Sequence, residues 1–116
     1  MRMYPGLAIV ALLLLAAPAA AHHGWGSYDA SKTTIVEGAI ATLHYVNPHA
    51  TVTVKAGGKV WTITLAPVSR MQARGAPAAL LAVGKTLKAE GYVSKVDPGE
   101  MRAERITVDG KTVEMR

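Results

Sequence analysis

The feature that most narrows the fold is a single break in an otherwise strand-like pattern. From Thr33 to Leu65, and again from Thr86 to Met115, the chain consists of short alternating runs rich in β-branched residues, separated by turn residues. Between them Pro67 to Gly84 loses the alternation. There Ser69, with Gln72 three residues on, fits a helical capping box, and Gly75 fits a helix stop. Pro77 can open a second short helical piece that ends near Gly84 and buries Leu80 and Val83. Three strands, a helical insertion and two or three further strands predict a mainly β fold. The expected form is a small OB-like Greek-key barrel of five to six strands, with the insertion between strands three and four. An open β-sandwich or SH3-like roll is the other arrangement the pattern permits.

The segments carry more detail. Thr33 to Val46 reads as one long strand with Gly38 in its middle, which predicts a bulge or bend there and a strand serving two sides of the barrel. Asn47-Pro48 ends it. Ala50 to Lys55 then alternates, with Val52 and Val54 inward and Thr51, Thr53 and Lys55 outward. Ala56-Gly57-Gly58-Lys59 makes a hairpin turn, and Val60 to Leu65 returns with Trp61, Ile63 and Leu65 on one face. After the insertion come strands over Thr86–Val93 and Ala103–Val108, with Asp97-Pro98-Gly99 as the turn between them. Asp109-Gly110 is a two-residue hairpin turn leading to a closing strand, Thr112 to Met115.

The N-terminal part does not belong to this pattern. Arg2 supplies a positive start, Leu7 to Ala17 an unbroken apolar run, Pro18 a break, and Ala19 and Ala21 the small pair of a cleavage site. The run is too short to span about 30 Å of hydrocarbon as a helix. Residues 1–21 therefore read as a secretory signal peptide of the general export route, cut after Ala21, which places the mature protein in the periplasm or outside the cell. Residues 22–32 form an N-terminal arm, pinned by Trp25 and Tyr28, and 33–116 the barrel domain. Cysteine is absent, which excludes disulfides and thiolate chemistry. The formal charge of +5 is mild, and an exported chain rarely meets nucleic acid, so the charge reads mainly as solubility.

All four histidines, His22, His23, His44 and His49, lie in the first half of the chain. Cleavage after Ala21 gives His22 a free α-amine. Amine and ring nitrogen can then chelate one metal, and a distant histidine can complete a T-shaped histidine brace, a flattened nitrogen set that favours Cu(II). Cleavage one residue earlier would put a histidine second from a free amine, with His23 third, another arrangement suited to Cu(II) or Ni(II). Strand parity turns His49 outward with Thr51 and Thr53, at the strand end held by Pro48. Residues 22–33 span up to about 35 Å when extended, enough to bring His22 to His49. The candidate metal ligands are thus His22, His23 and His49, followed by His44 and Asp29, with copper as the expected ion.

Catalysis has less support. Ser27, Ser31, Ser69 and Ser94 lack a nucleophile-elbow setting, and Glu37, Glu90, Glu100 and Glu104 lie among cations as solvated partners. A non-enzymatic binding protein is therefore expected, with a copper-dependent oxidative enzyme as the remote case. The competing reading is a metal-independent envelope module that binds a protein or anionic polymer through Arg70, Arg74, Arg102 and Arg105.

His22-His23-Gly24-Trp25 with Tyr28-Asp29, then Val36-Glu37-Gly38, Asn47-Pro48-His49, Trp61-Thr62-Ile63-Thr64-Leu65, Glu90-Gly91-Tyr92 and Arg102-Ala103-Glu104-Arg105 form a recognisable set. In these motifs the chain resembles exported bacterial proteins of the domain of unknown function family 6152. The resemblance implies export and a small β-barrel, and no reaction.

Overall fold

The computed structural model describes residues 24–116. The expected signal segment, with His22 and His23, lies outside the described residues. Six strands follow in order: β1 (Thr34–His44), β2 (Thr51–Ala56), β3 (Lys59–Thr64), β4 (Thr86–Val93), β5 (Glu100–Val108) and β6 (Lys111–Glu114). One short helix, α1 (Val68–Ala73), and a 3-10 turn over Ala78–Leu81 lie between β3 and β4. The sheet order is β3-β2-β1-β4-β5-β6, and β3 also pairs with β5. That last, parallel pairing closes five strands into the OB-type barrel, with β6 as an extra strand. One edge of β5 bonds β4. Its other edge serves β3 at residues 100–102 and β6 at 105–108.

β1 does what a long strand of a small barrel must do. Residues 34–39 pair with β4 and residues 39–44 with β2, so one strand joins both sides of the barrel. The register shift falls between Ile40 and Thr42 rather than at Gly38 as expected. Gly38 has a different task. A Cβ there would overlap the Lys55 carbonyl oxygen, so the glycine admits the backbone of β2. Asp109 and Gly110 both have positive φ, 52° and 74°, as the tight hairpin between β5 and β6 requires. β5 starts earlier than expected, at Glu100 instead of Ala103, because residues 100–102 find partners on β3 along one edge while Met101 and Arg102 pair with β4 along the other.

Val36, Ile40, Val52, Val54, Ile63, Leu65, Leu87 and Ile106 fill the barrel. The insertion contributes Met71 and Leu81 to the same core. Leu81 takes the buried position; Leu80 is half-buried, and Val83, expected inside, is 65% exposed. The expected capping box is also absent. Pro67 is the cap residue and no side chain bonds the helix start, so Ser69 and Gln72 are simply residues of α1. The C-terminal end follows the sequence: Gly75, at φ 78°, lets Ala76 N–H reach the Met71 carbonyl and Gly75 N–H reach that of Gln72. No described helix is long and apolar enough to cross a membrane.

Candidate functional site

Ala50 fixes the start of β2. Its N–H bonds the Ala66 carbonyl, and its own carbonyl accepts from Leu65. Val52 and Val54 are fully buried, so His49 and Thr51 face away from the core, as parity demands. Asn47-Pro48, with a cis peptide bond, precedes them. His49 lies half-buried at one end of a surface cavity of about 360 Å³. Thr51, Thr62 and Thr64 form the cavity floor on β2 and β3, and Glu100, Pro48 and Tyr28 complete the walls.

The arm reaches this cavity by two anchors. Tyr28 forms an antiparallel bridge with Ser94; Asp29 N–H bonds the Val93 carbonyl, and Lys95 N–H bonds that of Ser27. Upstream, the Trp25 ring has the Arg102 guanidinium at 4.2 Å, that of Arg116 at 4.3 Å, and the Tyr92 ring edge-on at 6.0 Å. The Tyr28 ring is buried, and its hydroxyl donates to Glu100 Oε1 at 2.7 Å. Burial first, and the Glu100 carboxylate second, push this phenol up to about 12. It stays a proton donor across the physiological range. Trp25 and Tyr28 thus pin the arm, as the sequence suggests.

Among the described candidates, His49 lines the cavity. His44 is exposed at the end of β1, opposite Thr51. Asp29 turns to its own neighbourhood, accepting from both Ser31 N–H and Ser31 Oγ, which holds its carboxyl below the usual range. Among the described residues no group of three or more His, Asp or Glu is arranged to hold a metal ion. Glu100 was expected to be a solvated partner of nearby cations and is instead a wall of the cavity. Its position on β5 reaches the site only through the β3–β5 closure, where it stands opposite Thr62. A local reading of the sequence could not find it.

The arginines are occupied within the chain. Arg70 Nη1 donates to the Met115 carbonyl, and Arg74 Nη1 to those of Glu114 and Arg116. Arg105 pairs with Glu114 at 3.0 Å. Arg102 is 8% exposed, stacked on Trp25. Together they brace the arm, the helix and the C-terminal strand.

The model of one family, described as a family of unknown function (DUF6152), matches residues 10–101. The chain belongs to DUF6152. A comparison with curated proteins gives no match. Among solved structures, a chain of the S. pombe Stn1–Ten1 complex is similar, with a TM-score of 0.53 at 15% identity. The match covers 66% of this chain and 57% of that one. At this identity it shows a shared fold alone, and it agrees with the barrel described above.

Proposed function

We propose that this DUF6152 chain is an exported binding barrel that holds a copper ion between a processed His22 and His49. One observation carries the reading: Tyr28 of the arm lines the same cavity as His49. His22 stands two positions before Gly24, at the foot of the 3-10 turn over Trp25–Ser27, so the chain keeps it within about 7 Å of Gly24, on the arm whose Tyr28 enters the cavity. An α-amine with its own imidazole and a second imidazole is a nitrogen set suited to Cu(II). Such a protein binds, carries or buffers its ion in the periplasm and needs no reaction of its own. The competing use of Arg70, Arg74, Arg102 and Arg105 for an anionic polymer fits less well, because one nitrogen each of Arg70, Arg74 and Arg105 already bonds the chain's own carbonyls or carboxylates and Arg102 is stacked on Trp25.

The test combines an intact mass of the exported protein, which fixes its first residue, with Cu(II) titration of that material. A mature chain starting at His22 should bind one ion. His22→Ala and His49→Ala should each weaken binding at least about 100-fold, or about 2.7 kcal/mol. Unchanged affinity in both variants, or a processed chain that starts elsewhere, removes the site.

A further inference from the structure

The copper reading uses the His49 end of the cavity and leaves its floor without a task. That floor consists of hydroxyls on adjoining strands. Thr51 of β2 stands directly opposite Thr64 of β3, and Thr62 follows two residues along the same face. Each threonine hydroxyl both donates and accepts, and its methyl group offers apolar surface beside it. At the far end Glu100 adds a carboxylate. Its Oε1 already accepts from Tyr28, so the group is held in place as an acceptor, and the Tyr28 ring forms the wall beside it. Among the described lining residues there is no lysine or arginine, the neighbouring Arg102 guanidinium is turned onto the Trp25 ring, and the Glu100 charge repels an anion.

From this placement we infer that the cavity is a binding site for a neutral polyhydroxylated ring, a single sugar or the end unit of an uncharged glycan. Vicinal hydroxyls alternate as donors and acceptors, which the threonine rows and the carboxylate answer in kind. The C–H faces of such a ring suit Pro48 and the threonine methyls. The volume, about 360 Å³, lies within the range of small-molecule sites. The position is the β2–β3 face, which OB-folds use for oligomeric ligands, oligosaccharides included. A copper ion is not required, since none of the floor residues belongs to the proposed metal set.

Two-dimensional amide NMR of the full processed protein tests this, with glucose, N-acetylglucosamine and maltotriose as neutral probes and a uronic acid trisaccharide as the charged one. At least one neutral probe should shift the amides of Thr51, Thr62 and Thr64 with an affinity in the millimolar range or better. Thr64→Val and Glu100→Gln should each weaken that binding about tenfold, or about 1.4 kcal/mol. Thr62→Val serves if either variant fails to fold, and His22→Ala should change nothing. No shift up to about 10 mM of any neutral probe overturns the inference. So does preference for the charged trisaccharide, or neutral binding that the floor and Glu100 variants leave intact. Loss of copper binding with sugar binding kept sinks the metal reading alone, and the reverse result sinks this one alone.

Discussion

A methyl group on Gly38 has nowhere to go. It would meet the Lys55 carbonyl oxygen first and the Val54 side chain next, and a carbonyl within the β1–β2 contact cannot swing away without breaking the ladder. Gly38→Ala should therefore cost about 3 kcal/mol in denaturant unfolding, the upper end for an overpacked site. Gly26→Ala is the control, because its Cβ would meet nothing within 4 Å and its φ is ordinary; a change within about 0.5 kcal/mol is expected. Equal effects at the two glycines would mean that close approach is not why Gly38 is there. A glycine within a β-branched run was visible in the sequence, but whether it marks a bulge or a close approach was not. The answer depends on what the neighbouring strand places against it.

At the scale of elements, the arm behaves as a partial extra strand on the β4–β5 connection. Its backbone bonds are few, so its hold depends on the two aromatic anchors. Trp25→Ala removes two cation–π contacts and an edge-to-face ring contact, and should lower stability by about 1–2 kcal/mol. Hydrogen exchange gives the sharper readout: the amides of Asp29 and Lys95 should lose protection while those of β1 and β2 keep theirs. Unchanged protection at Asp29 would mean that Tyr28 alone secures the arm. The same scale explains the failed capping box. The spacing of Ser69 and Gln72 met the pattern, but α1 begins at Val68, straight after Pro67, so Ser69 is already inside the helix. The Gly75 stop was legible because it is local: a positive φ is needed wherever that helix ends.

For the whole molecule, the bond between Tyr28 and Glu100 ties arm to barrel and gives global stability a pH dependence. The phenol rises from an ordinary 10 to about 12 in the folded chain, through burial and then Glu100. Its contribution is complete below pH 10 and is lost as the pH climbs through 12. The wild type should exceed Tyr28→Phe by about 1.5–3 kcal/mol at pH 8, the worth of a hydrogen bond to a charged acceptor. That gap should narrow steadily above pH 10, as urea melts of the two proteins will show. A gap constant to pH 12 would detach the phenol from stability. Taking the difference between the proteins cancels the other groups that titrate there, including Tyr45, whose phenol burial also raises.

Alternation, turn residues and one break in period were enough to specify the β hairpins and the place of the helical insertion, because each depends on residues a few positions apart. The outward turn of His49 followed from the same short-range parity. Tertiary structure decided the rest. Closure of β3 onto β5 carries Glu100 to the threonine floor, and docking of the arm carries Tyr28 to His49, each across more than twenty positions of sequence. It also turns Arg70 and Arg74 onto backbone carbonyls, Arg105 onto Glu114 and Arg102 onto Trp25. Such contacts depend on how the sheet curls and closes, a property of all its strands together that no local run of residues contains.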